Sequence, residues 1–104
     1  LAGIMERGGY TYILTNKNKT VLYIGCTSEL YYRIQKHKDG HFANAFTKKY
    51  NCDVLVYCES FPRIEEAIAK EKQLKNWRRE WKENLISEFN PDWRDLSDSV
   101  EDLV

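Results

Sequence analysis

Tyr12 and Tyr23 each stand inside a short apolar run, with ten residues between them. Arg33 follows ten residues after Tyr23, His37 comes four residues later, and Glu71 sits in a later helical pattern. Glu71 continues the i, i+3, i+4, i+7 stripe of Ile64, Ala67, Ile68 and Leu74. A carboxylate on such a stripe is costly unless it is paired or holds a metal. Magnesium typically takes one or two protein carboxylates, with water and phosphate completing its shell. A guanidinium such as Arg33 suits charge developing on a phosphate. A phenol, with a pKa near 10, is a poor base, but a nearby cation makes Tyr12 or Tyr23 usable. The chemistry these types could do together is metal-assisted phosphodiester hydrolysis.

Each residue also has an ordinary explanation. Strand tyrosines pack their rings and leave the hydroxyl at the surface. A helix arginine lays its stem over apolar surface, and His37 suits the C-terminal end of a helix dipole. Glu71 can pair with Lys75 at i, i+4. Trp77, Trp81 and Trp93 read as core and edge packing.

The elements that must position these groups are legible in outline. Residues 10–15 and 21–25 read as strands, joined through "NKNK" into a hairpin. Alternation puts Tyr10, Tyr12 and Leu14 on one face and Thr11 and Ile13 on the other, with Tyr23 and Gly25 sharing a face of the second strand. A suitable register makes Tyr12 and Tyr23 neighbours across the pair. Thr27 or Ser28 caps a helix that runs to about Lys38 and stops before Gly40, with Leu30 and Ile34 inward. Arg33 and His37 lie along one side of it. Residues 40–52 read as a loop carrying Lys48, Lys49 and Tyr50, and residues 53–60 as a third strand. Pro62 opens a helix over 63–76. Another over 78–88 turns Trp81, Leu85 and Ile86 inward and ends at "NPDW". The order β-β-α-β-α-α implies an α+β, or mixed α/β, sandwich.

The chain of 104 residues fits one domain with one core. No apolar run is long enough to span a bilayer. "LAGIMERGG" lacks a signal-peptide h-region, so residues 1–8 read as a flexible leader with Met5 available as a start. Residues 9–94 form the folded domain, and 95–104 an acidic, frayed tail. Three cysteines, Cys26, Cys52 and Cys58, with no CxxC pair, argue against a disulfide framework and fit a reducing cytoplasm. Cys52, Cys58 and a histidine match no standard zinc spacing. Net charge is zero, yet residues 1–50 carry eight Lys/Arg against three Asp/Glu, and residues 91–104 one against five. The acidic end masks a basic first half that could meet a polyanion.

At this point the chain closely resembles the GIY-YIG nuclease family, above all its small single-domain bacterial members. It is also similar to the N-terminal nuclease domain of the bacterial excision-repair nuclease. Tyr12 stands at the tyrosine of "GIY", and Tyr23-Ile24-Gly25 is "YIG" itself. Arg33 matches the family's essential arginine, His37 a His-or-Tyr position one turn on, and Glu71 in "AIAKEKQLKNW" the metal-binding glutamate. Asn90 in "NPDW" matches a late asparagine. The resemblance covers about residues 9–94. It implies a three-stranded antiparallel sheet flanked by helices, and cleavage of DNA dependent on magnesium or manganese, with branched or damaged DNA and a repair role in view.

Two departures matter. The first motif reads Tyr10-Thr11-Tyr12 and lacks its glycine. Several relatives carry lysine after the YIG glycine, where Cys26 stands here, and Lys36 or Lys48 would have to replace that cation. Lys36, Lys48, Lys49 and Asn90 are the expected nucleic-acid contacts. Many members carry an appended DNA-binding domain, and none is recognisable in these residues, which brings in a targeting protein partner. The alternatives are a non-catalytic nucleic-acid-binding module of the same fold and a scaffold that meets a protein through its acidic end. The binding module predicts that Glu71→Ala changes little, and the scaffold predicts no salt-sensitive DNA affinity.

Overall fold

The hairpin forms from two short runs rich in Tyr, Ile, Leu and Thr. The structure, a computed structural model, describes residues 8–39 and 45–99. Strand β1 spans Gly9–Thr15 and β2 spans Leu22–Thr27. Asn16 shapes the turn between them, its side-chain oxygen accepting from the Thr20 N–H at 2.8 Å. Lys19 takes a left-handed conformation there, with φ of 60°. Helix α1 spans Leu30–Asp39, and the Thr27 hydroxyl accepts from the Glu29 N–H at 3.0 Å as it begins. Helix α2 spans Ala45–Tyr50, β3 Val54–Phe61, α3 Ile64–Asn76 and α4 Arg79–Phe89. A single 3₁₀ turn covers Ser97–Ser99.

The sheet is antiparallel throughout, in the order β2-β1-β3. β1 is therefore central and β2 is an edge. One face carries Tyr12, Leu14, Leu55 and Cys58 under Leu30 and Ile34 of α1. The other carries Ile13, Ile24, Val56 and Tyr57 under Leu74 of α3 and Ile86 of α4. Register shifts between Ile13, opposite Tyr57, and Leu14, opposite Leu55. The extra residue, Val56, is a bulge, and it sets two consecutive side chains, Val56 and Tyr57, into the same core.

Four expectations need correction. A helix, α2, occupies residues read as loop, because six residues are too few to show a 3.6-residue period. Trp81 is 47% exposed, although Ile86 is buried beside it on α4. Ile68 also lies at the surface. The start of the acidic end is packed, not frayed. The Leu96 N–H donates to the Leu55 carbonyl at 2.8 Å, and Leu96 joins the first core. Residues 1–7 of the leader, residues 40–44 with Gly40 and His41, and residues 100–104 lie outside the described residues.

Asp95 locks that segment down. Its carboxylate meets the Lys38 ammonium at 2.8 Å and accepts from the Leu55 N–H at 3.2 Å. Ser97 donates to it from both its N–H, at 3.0 Å, and its hydroxyl, at 2.5 Å. Burial pushes the Asp95 carboxyl up, but Lys38 and the Ser97 and Leu55 donors outweigh burial and hold it below the ordinary carboxylate value. A carboxyl lowered by folding stabilises above its unfolded pKa, and that stability is lost as pH falls through the folded value. Melting of wild type and Asp95→Asn is therefore expected to differ most at neutral pH. The gap should close as pH drops below about 4. A gap independent of pH would show that the charge of Asp95 contributes nothing.

Candidate functional site

The candidate site forms where the two layers meet around β2. Tyr12 is opposite Gly25 in the β1–β2 register, and Tyr23 is opposite Leu14. The phenols are thus diagonal neighbours, with ring centroids 6.5 Å apart and planes tilted by 47°. A Cβ on Gly25 would fall 2.6 Å from both Cζ and the hydroxyl oxygen of Tyr12. The absence of that Cβ is what lets the Tyr12 phenol cross its partner strand. Tyr12 is only 1% exposed, whereas Tyr23 is half-buried at the sheet's edge.

Glu71 arrives from the other layer. The Thr11 hydroxyl donates to the Ala67 carbonyl at 2.8 Å and fixes α3 to β1. Cys26 is the cross-strand partner of Thr11. One turn beyond Ala67, Glu71 lies on the side of α3 that faces β2, and its carboxylate acts on the Cys26 thiol. It also meets the Lys75 ammonium at 3.2 Å and keeps 19% of its surface exposed. The inward placement and the i, i+4 pair with Lys75 are both present. Burial first, and then Glu71, push the Cys26 thiol up, so it remains a donor; Lys75 and Arg33 pull the other way.

The convergence is clearest at the Tyr12 hydroxyl. Burial raises its pKa well above the ordinary phenol value; Tyr23 adds to this, Arg33 opposes it, and Cys26 and Glu71 add further. Charges carried by β2, α1 and α3 are thus felt at the Tyr12 phenol. A phenol so placed holds its proton and serves as a hydrogen-bond donor. Arg33 is half-buried, one turn after Glu29, whose carbonyl accepts from the Arg33 N–H at 2.9 Å. His37 lies four residues further along α1.

The remaining candidates fall elsewhere. The Lys36 ammonium lies 5.3 Å from the Tyr32 ring centroid on the outer side of α1. Lys48 and Lys49 are exposed in the last turn of α2. Asn90 is buried, and its amide donates to the Val56 and Arg94 carbonyls at 3.2 and 2.9 Å. It serves the fold by joining the end of α4 to β3. The cations acting at Cys26 are Lys75 and Arg33 rather than Lys36 or Lys48. The sequence held a signal for this: alternation turns Cys26 away from Gly25 and toward the long helix.

Among the described residues, no group of three or more His, Cys, Asp and Glu side chains is placed to hold a metal. The cluster offers one carboxylate. That donor set fits a largely hydrated hard cation such as magnesium and does not fit zinc, which takes three or four protein ligands. Cys26, Cys52 and Cys58 are free thiols. No described helix is long and apolar enough to cross a membrane.

The family description "GIY-YIG catalytic domain" matches residues 8–84. The chain belongs to the GIY-YIG family. Members of this family are generally nucleases and typically use a divalent metal. A UPF0213 protein of Syntrophus aciditrophicus is 34% identical over 83 residues, spanning 80% of this chain and 93% of that protein. One of Staphylococcus saprophyticus is 38% identical over 79 residues, or 76% and 94% of the two chains. The solution NMR structure of a UPF0213 protein from Bacillus halodurans aligns at 32% identity with a TM-score of 0.47, covering 77% of this chain and 83% of that one. Tyr10 stands where the GIY motif has its glycine, and Thr11, at the motif's isoleucine position, ties α3 to the sheet. Gly25, the glycine retained, is the one whose missing side chain the Tyr12 ring needs.

Proposed function

We propose that this GIY-YIG domain hydrolyses DNA phosphodiester bonds with magnesium or manganese held at Glu71. The observation that supports this reading is that the Tyr12 phenol crosses Gly25 beside Tyr23, with the charges of Arg33 and Glu71 felt at its hydroxyl. When bound, the cation would polarise the phosphate and stabilise the leaving oxygen. The protein's own groups do the rest. Arg33 binds the phosphate and balances its growing charge. Tyr12 keeps its proton and orients the nucleophilic water or a phosphate oxygen. Tyr23, which reaches solvent, contacts the attacking water, and His37 completes the set from one turn beyond Arg33. Lys75 holds Glu71 in place before the cation arrives. DNA of branched or damaged form, a place in repair and a targeting partner belong to the same reading.

The test is cleavage of end-labelled single-stranded, duplex, flap and bubble DNA in magnesium, manganese and EDTA. Nicking that EDTA abolishes is expected. Tyr23→Phe removes one hydroxyl at the water's position and should cost about 10²-fold in rate or more. Its melting temperature should hardly change, because Tyr23 is half-buried. Metal-independent cleavage, or a Tyr23→Phe enzyme as fast as wild type, would overturn these roles. No cleavage of any substrate, with DNA binding intact, would favour the non-catalytic module, for which the departure at Cys26 is the motivating feature.

A further inference from the structure

Surface grooves away from the catalytic cluster differ in charge. One is walled by residues including Glu83 and Asp92, another by Glu88, and a third by Glu59 and Glu88. A fourth groove, of about 310 Å³, is lined by Thr20, Val21, Leu22, Tyr50, Arg79 and Lys82. Its walls hold Arg79, whose charge Glu83 neutralises, the Lys82 ammonium and one aromatic ring, with no carboxylate among the lining residues.

The parts of this groove are set in place. The Arg79 guanidinium donates to the carbonyls of Thr20 at 2.9 Å and Lys19 at 3.3 Å. Glu83 pairs with it at 2.8 Å from outside the groove. Arg79 therefore clamps the hairpin turn onto α4 and forms a fixed wall. Lys82 lies one turn of helix beyond it. Tyr50 faces them from α2, 38% exposed, and the Lys49 ammonium is 5.4 Å from its ring centroid. An exposed ring among cations is the pairing that binds single nucleic-acid strands: the ring stacks a base, and the cations meet phosphates. The volume lies at the small end of ligand pockets. It suits one nucleotide and excludes a duplex.

The groove opens onto the strand that carries the catalytic cluster. From Leu22 to Gly25 the edge strand β2 advances about 10 Å. That is roughly three nucleotides of a stacked strand. We infer that the groove is a second subsite for a single DNA strand, holding the nucleotides that flank the phosphodiester bound at Tyr23, Arg33 and Glu71. The flanking role rests on the nuclease reading; binding of a strand in the groove does not.

Fluorescence anisotropy would measure this on the full chain carrying Glu71→Ala, so that probes stay intact. Labelled single-stranded and duplex oligonucleotides would be titrated across a salt series, with thermal melts to establish that each variant folds. Adding Tyr50→Ala should weaken single-strand binding at least about fivefold. Adding Lys82→Ala should reduce the slope of log affinity against log salt by about 0.7, one phosphate contact on a single strand. Unchanged affinity and slope in both folded variants would overturn the subsite, as would weakening of duplex binding alone. Loss of single-strand binding in these variants, alongside a wild type that cleaves nothing, would support the subsite and overturn the nuclease reading.

Discussion

Glu71→Ala is expected to lower metal-supported cleavage at least about a hundredfold while leaving the fold and DNA binding in place. The size follows from the donor set. Of the described candidates Tyr12, Tyr23, Arg33 and Glu71, only Glu71 is a carboxylate, so its loss removes the proposed cation ligand. The fold should survive because Glu71 sits at the rim of the α3 stripe, between buried Ala67 and Leu74, with 19% of its side chain exposed. Its partner Lys75 is 54% exposed. Surface pairs of this i, i+4 kind contribute only about 0.3–0.5 kcal/mol. The measurement is single-turnover cleavage across a magnesium series, beside urea unfolding and anisotropy of both proteins. Glu71→Gln keeps the shape and removes the charge, and it should fail equally. A Glu71→Ala protein that cleaves at wild-type rate would remove Glu71 from the chemistry.

Gly25→Ala is expected to damage stability and activity together. Its Cβ would stand 2.6 Å from the Tyr12 ring carbon Cζ and hydroxyl oxygen, and 3.1 Å from Cε1. Neither side can yield easily. Gly25 is held in the sheet opposite Tyr12, and Tyr12 is 1% exposed within the first core. Overpacking of this kind costs about 1–3 kcal/mol. The displaced phenol also leaves its place beside Tyr23, so, on the proposed roles, cleavage should fall further than the stability loss alone explains. Tyr12→Phe separates the two effects, since it keeps the ring and removes the hydroxyl. It should melt close to wild type and still be slow. Urea midpoints and cleavage rates of the two variants, measured together, decide it. A Gly25→Ala protein as stable and active as wild type would show that the Tyr12 ring has another place to go.

Local pattern was enough for much of this protein. Two-residue alternation in 10–15 and 21–25, and the helical period of Ile64, Ala67 and Leu74, are short-range properties, and two strands and the long helix form over those residues. The order and spacing of Tyr12, Tyr23, Arg33 and Glu71 likewise sufficed to indicate the family, whose match spans residues 8–84. Where the period was too short to register, as in α2, sequence reasoning saw only loop. At α4 the apolar period predicts Trp81 inward; α4 covers the sheet mainly through Ile86, and Trp81 is left outside.

The site depended on contacts between residues far apart in the chain. That Cys26 meets Glu71, that Gly25 makes room for Tyr12, and that Arg79 clamps the hairpin turn each required strand register and the seating of α3 and α4 on the sheet. So did the fate of the acidic end, where Asp95 and Leu96 are tied to β3 rather than left in solvent. The sequence by itself determined which residue types were available and which face of each element they share, because backbone geometry repeats every two or 3.6 residues. Only the tertiary structure decided which of them meet, because register and helix seating are set by the packing of the whole core, in which one step of slip turns every side chain of a strand to the opposite layer.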